Sequence, residues 1–304
     1  MNNIKDRFKE FVSNSHYLRI DSRHILDLYI GLNENGQCTL EYRGKFTPKA
    51  VKGSASISIS QGVGKEYNYL LISLKDVEML DTFCALCNDI VESTRCCESN
   101  EVGYTVIIDR LYSWKKLFTS RKKQLQESTI MGLIGELLFL SQYMFSTYNQ
   151  HQAIEAWSGQ ELTHKDFSLD NIWYEVKAIH VGKNSVRISS LEQLQSNTEG
   201  ELIIVELERM SEAYDGIYLS KIANQILSTI SLDSDKDLFL KQLYNQGYRF
   251  DSEDDRFVYD LKSITRYKVD DSFPKLTRNQ IVKSITQAQY DIAINDIHPF
   301  LIAD

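Results

Sequence analysis

Apolar and polar residues alternate along His24–Leu32 (HILDLYIGL) and again along Gln37–Phe46 (QCTLEYRGKF), with Asn33-Glu34-Asn35-Gly36 between them. A period of two broken by an Asn/Gly turn predicts a β-hairpin. Ala55–Leu74 repeats the pattern around Gly62 and Gly64, so the first quarter of the chain reads as a small antiparallel sheet. Residues 1–16 before it have the spacing of a short amphipathic helix. A helix is expected over roughly 75–95, and Cys96–Gly103 (CCESNEVG) interrupts it. That break divides the chain into a β-rich domain with a closing helix, 1–100, and a second domain, 101–304. Helical spacing resumes in GYTVIIDRLYSWKKLF. ESTIMGLIGELLFLSQYMF is apolar almost all round, which predicts a buried helix. Two short strands follow around 165–180, then a strand at VRISS, a helix beginning LEQLQ, a central strand ELIIVELERM and a helix through GIYLSKIANQILSTI. The last third mixes strands and helices, so the fold class is α/β in the α+β sense.

Composition narrows the class. The chain has 304 residues, 42% hydrophobic and 25% charged, which is ordinary for a globular protein. No run of about 18 apolar residues is apparent, and the polar start MNNIKDRFKEF lacks a signal peptide's apolar stretch, so a cytoplasmic protein without membrane contact is expected. Five cysteines with no secretion signal argue against a disulfide framework. Cys84 and Cys87 lie in a helical apolar pattern and read as buried small hydrophobes rather than zinc ligands. A net charge of −8 excludes a protein that coats nucleic acid nonspecifically. Basic residues gather locally, however, from Arg110 to Lys123, where Lys122 and Lys123 are candidate phosphate contacts.

The chemistry concentrates in Lys165–Ile179 (KDFSLDNIWYEVKAI). Asp170-Asn171 suits a two-residue turn. With that turn Leu169 faces Ile172, Phe167 faces Tyr174 and Asp166 faces Glu175. Residues directly opposite in an antiparallel pair have Cβ atoms about 5 Å apart, so the two carboxylates repel unless a cation lies between them. Mg²⁺ or Mn²⁺ suits such oxygen ligands. Alternation puts Lys177 on the face of Glu175, while Tyr174 and Val176 take the other face and pack into the core. The Val176 carbonyl is a further candidate ligand. A salt-bridged structural hairpin would show the same spacing. Glu136 adds to the pattern, because it is the one ionisable residue of MGLIGELLFL and a lone buried carboxylate is costly unless paired or metal-bound. Pairing with an arginine such as Arg110 is the structural alternative, and Gly132 and Gly135 would let another backbone approach.

GLIGELLFL, AWSG, HKDF, YEVKA, VRISSLEQL and FPKLT together resemble the PD-(D/E)XK motif proteins of bacterial restriction and phage-defence loci. The resemblance implies a restriction-endonuclease-like mixed sheet flanked by helices, here behind the N-terminal antiparallel domain. It also implies a metal-dependent DNA endonuclease with Asp166 and Glu175 as metal ligands, Lys177 as catalytic lysine and Glu136 as the helical acid, ligating directly or through water. The proline of the motif's name is replaced by Lys165. The implied setting is a cleavage subunit beside DNA methyltransferase and ATPase- or helicase-like partners. Double-stranded DNA is the expected substrate, and cutting both strands calls for two active sites, which fits a homodimer.

Arg187, Ser189, Ser190 and Gln193 are candidate phosphate contacts. They read equally as strand exposure and a Ser N-cap with Glu192 in the first turn. His164, Trp157 and Trp173 read as structural. Two rival functions remain: an inactive nuclease-fold scaffold or DNA-holding subunit, and a branched-DNA or repair nuclease of the same fold.

Overall fold

The computed structural model describes residues 4–118, 125–157, 165–250 and 253–302. Lys122, Lys123 and His164 therefore lie outside the described residues. The chain forms two compact units. The first comprises residues 1–123, 231–240 and 249–252, and the second comprises 124–230, 241–248 and 253–304.

In the first unit helix α1 (Ile4–Glu10) is shorter than the helix expected over 1–16, and His16–Arg19 forms strand β1 instead. Ser15 turns at φ 59°, and its N–H donates to the Leu32 carbonyl at 2.7 Å, which draws the chain onto the sheet. Strands β2 (Asp27–Leu32), β3 (Cys38–Gly44), β4 (Ile57–Val63) and β5 (Asn68–Leu74) complete an antiparallel sheet in the order β1-β2-β3-β5-β4. Gly36, at φ 72°, makes the Asn33–Gln37 turn. Leu28, Ile30, Leu40, Tyr42, Leu70 and Ile72 are buried on one face. Helix α2 (Leu80–Ser93) is tied in by a 2.9 Å contact between His24 Nε2 and the Val91 carbonyl. Helix α3 (Asn100–Trp114) is tied in by Tyr42, whose hydroxyl donates to the Asn100 carbonyl at 2.9 Å. Arg110 on α3 is buried and paired with Asp89 of α2 at 2.7 Å, so it is committed within this unit. Cys84 and Cys87 are buried on α2, and burial pushes both thiols well up.

The second unit is built on a mixed four-stranded sheet in the order β10-β9-β7-β6, from β6 (Phe167–Ser168), β7 (Ile172–His180), β9 (Glu199–Met210) and β10 (Val258–Val269). β7 runs parallel to β9, and the other neighbours are antiparallel. ELIIVELERM is central, as its apolar run predicts. Between β7 and β9 the chain makes β8 (Ser185–Ile188), which pairs with β11 (Tyr290–Ala293). Helix α4 (Glu127–Phe139) continues through a π-helical turn, Leu140–Met144, into α5 (Phe145–Thr147), and α6 (Gln150–Ala156) follows. Helix α7 (Leu219–Thr229) packs on α4. Helix α8 (Asp233–Asn245) comes next in the chain.

The run Glu127–Thr147 is the one helix among the described residues long and apolar enough to cross a membrane by length and composition, contrary to the expectation of none. Half of its most apolar 18-residue window is buried against its own fold, as in the core helix of a globular protein. α4 lies on β7 because Gly135 has no side chain: a Cβ there would stand 3.0 Å from that of Ala178 and 3.7 Å from Val176 Cγ1. Gly132 faces open space and needs no such explanation.

The face of β7 carrying Glu175 and Lys177 is also covered. Trp173 and Ile179 on that face join a second core with Val186, Ile188, Leu194, Leu202, Ile204, Phe273 and Ile292. A strand with a parallel neighbour is covered on both sides. The helix expected from LEQLQ is a single 3₁₀ turn, Leu191–Gln193. It stops because the carbonyls of Glu192, Gln193 and Gln195 are turned to the Lys165 ammonium.

Candidate metal centre and its surroundings

The hairpin carrying the acids is set by its turn. The Leu169 N–H donates to the Ile172 carbonyl at 2.9 Å, leaving Asp170-Asn171 as the loop. Phe167 then stands opposite Tyr174, and Ser168 opposite Trp173, which is the register read from the sequence. β6 begins at Phe167, and Asp166 before it folds across the edge, where its Oδ2 accepts the Val176 N–H at 2.7 Å. The N–H and C=O of one strand residue point to the same side. The Val176 carbonyl therefore also faces the Asp166 side, away from β9.

Glu175 is 0% exposed. Its Oε1 accepts from Lys177 Nζ at 2.6 Å, whereas its buried Oε2 has no hydrogen-bond partner among the described residues. Glu136, next to the glycine that seats α4 on β7, is partly buried, and its Oε2 accepts from Trp157 Nε1 at 2.7 Å. Trp157 bridges to Phe167 beside β6, so α4 and the hairpin are held at one edge.

One lysine faces three acids. Burial, then the charge of Asp166, pushes the Glu136 carboxyl up to about 8. Burial raises Asp166 as well, against the pull of Lys177. Glu175 is pushed well above the usual range by burial and then by Asp166. Burial works against the charge of Lys177, but Glu175 and Asp166 outweigh it and hold the ammonium above its ordinary value. Three carboxylates against Lys177, with a weaker pull from Lys165 on Asp166 and Glu175, leave an electrostatically unfinished site.

A divalent cation fits this donor set. The orphaned Glu175 Oε2, the Asp166 carboxylate and the Val176 carbonyl are hard oxygen donors, and Mg²⁺ typically takes one or two carboxylates with waters and phosphate oxygens as the rest. Among the described residues no group of three or more His, Cys, Asp or Glu side chains could hold a metal ion by itself.

Lys165 is a residue that sequence reasoning passed over. It is 5% exposed, and its Nζ donates to the carbonyls of Glu192 at 2.5 Å, Gln193 at 2.7 Å and Gln195 at 3.2 Å. The ammonium lies 3.8 Å from the Trp173 ring centroid, and burial brings it down to about 8. It ties the residue before Asp166 to the 191–195 turn. A lysine in the slot of the motif's proline was the available signal. Of the six residues read as phosphate contacts, four lie among the described residues, and of these Arg187 is exposed and pairs with Asp291 across β8–β11 at 3.0 Å. The Gln193 side-chain oxygen accepts the Ser189 N–H at 2.7 Å, and Ser190 precedes the 3₁₀ turn without a side-chain cap.

The mixed sheet, its flanking helices and this hairpin define an α+β protein of PD-(D/E)XK type. Over residues 4–295 the chain matches the family described as "Putative PD-(D/E)XK family member, (DUF4420)", and it belongs to that family. No curated protein and no solved structure matches it.

Proposed function

We propose that this nuclease-like protein is a divalent-metal-dependent DNA endonuclease that hydrolyses phosphodiesters in duplex DNA, acting as the cleavage subunit of a restriction or phage-defence system. The observation that carries the reading is the acid excess at the hairpin: a fully buried Glu175 with an unpartnered oxygen, raised by burial and then by its neighbour Asp166, and offset chiefly by Lys177. Asp166, Glu175 and the Val176 carbonyl would hold Mg²⁺ or Mn²⁺, with Glu136 contributing directly or through water. The bound cation would lower the pKa of a water and offset charge gathering on the phosphoryl oxygens. Lys177, kept protonated by the acids around it, orients the attacking water and neutralises the developing charge. Trp157 fixes the orientation of Glu136 through its indole N–H. Lys165 holds the chain entering Asp166. Methyltransferase and ATPase- or helicase-like partners would supply the recognition that a chain of net charge −8 does not supply by bulk charge.

The test is incubation of purified protein with supercoiled and linear duplex in Mg²⁺, Mn²⁺ or chelator, beside Asp166→Ala. Metal-dependent nicking absent from the variant is expected. Equal cleavage by both proteins would remove Asp166 from the chemistry.

A further inference from the structure

The segment between β10 and β11 contains one of several basic stretches of the chain that carry no acid, Arg110–Lys123 being another. From Ser272 to Tyr290 it carries Lys275, Arg278 and Lys283 and no acid, within a chain of net charge −8. It forms no helix or strand beyond one 3₁₀ turn, Arg278–Gln280, yet it is internally organised. Thr277 and Gln280 form a capping box. The Arg278 guanidinium donates to the carbonyls of Ile285 at 2.5 Å and Lys283 at 3.1 Å, folding the loop back on itself. Arg278 is thereby spent on the loop's own backbone. Lys283 is exposed, Lys275 is partly so, and among the described residues neither is ion-paired with a carboxylate. Val282 and Ile285 also stand in solvent, at 65% and 43% exposure.

Two contacts place this loop beside the candidate centre. The Arg278 N–H donates to Gln195 Oε1 at 2.9 Å, and the carbonyl of the same Gln195 accepts from Lys165 Nζ at 3.2 Å. The charge of Lys275 also reaches Lys165, the residue before Asp166. An ordered, acid-free basic loop thus adjoins the turn that Lys165 pins to the hairpin. Unpaired ammonium groups on a fixed backbone suit a row of phosphates, whose contacts are electrostatic and independent of base sequence.

We propose that the 275–289 loop is the arm that holds the phosphate backbone of duplex DNA against the hairpin, with Lys275 and Lys283 as its phosphate contacts. The choice of DNA rests on the nuclease reading, whereas the arm itself rests on the loop. The test uses the full chain with Lys275→Ala and Lys283→Ala combined, binding a labelled duplex with Ca²⁺ in place of Mg²⁺ over rising salt. Binding should weaken for all sequences alike, and the slope of log affinity against log salt should become shallower by about two. Thermal stability should stay unchanged, because both side chains serve no fold contact. A double variant with the wild-type affinity and slope overturns the proposal, as does a wild type that does not bind duplex. Wild-type protein that binds with the lysine-dependent slope but cleaves nothing in Mg²⁺ or Mn²⁺ would sink the nuclease reading and leave the arm standing.

Discussion

Each unit buries an ion pair, and the two are built on opposite principles. In the first, Asp89 Oδ2 receives both Arg110 Nε and Trp114 Nε1 at 2.7 Å, and Arg110 reaches Asp237 as well. One guanidinium N–H, at Nη2, stays unpartnered, but the buried charges match one to one. In the second, Glu175, Asp166 and Glu136 outnumber Lys177 and Lys165, all three acids are pushed up, and the unpartnered atom of Glu175 is a carboxylate oxygen. A matched pair holds a fold together. An acid surplus destabilises it and has value only for what it can bind.

The comparison breaks most sharply under substitution. Lys177→Ala should lower cleavage by at least about 10²-fold while the protein stays folded, read by single-turnover nicking and circular dichroism. Asp89→Ala should instead cost stability, about 3–5 kcal/mol in denaturant unfolding, because it strands the Arg110 charge. Glu175→Gln should raise the melting temperature in chelator. A clear fall there would mean that the hairpin acids are structural after all.

The two sites also differ with pH. Glu136, Asp166 and Glu175 have folded pKa values above their unfolded ones, so the folded chain keeps protons that the unfolded chain has released. Stability without metal should therefore fall as pH climbs from the ordinary value of 4.5 toward the value of about 8 at Glu136. Stabilisation by Mn²⁺ should grow over the same window, since protons must leave before oxygens ligate. Melting curves across that range with and without Mn²⁺ test both, and a Mn²⁺ shift independent of pH would count against the carboxylates. Lys165→Met should cost about 1–3 kcal/mol by leaving three carbonyls without their donor, and should lower cleavage further than its stability loss explains. Gly135→Ala should have the smallest effect, about 1 kcal/mol, from lifting α4 off Ala178, with Mn²⁺ affinity as the sensitive readout.

Much of this was legible in the sequence wherever the determinants are local. Asp170-Asn171 fixes the hairpin register because a two-residue turn leaves no alternative pairing. The apolar run of α4, interrupted by Glu136 alone between Ile130 and Phe139, announces burial, and Gly135 announces close approach. The misses come from distant partners. LEQLQ has helical spacing, but its carbonyls are claimed by Lys165 from outside the segment. Residues 11–15 leave the helical pattern for a bond to Leu32. The indole partner of Glu136 lies across the chain, where no periodicity points to it.

The pairing of β8 with β11 has a consequence for when the centre is assembled. Val186 and Ile188 cover the Glu175 face only together with Ile292, which is made far downstream. The antiparallel hairpins of the first unit close over short loops, whereas this pair must close a long one, the slower event. During synthesis the first sheet is therefore expected to close before the carboxylates of the second unit are covered. The proposed cutting centre would then be the last part of the molecule to be finished, and a half-synthesised chain would carry its acids without the buried surroundings that raise them.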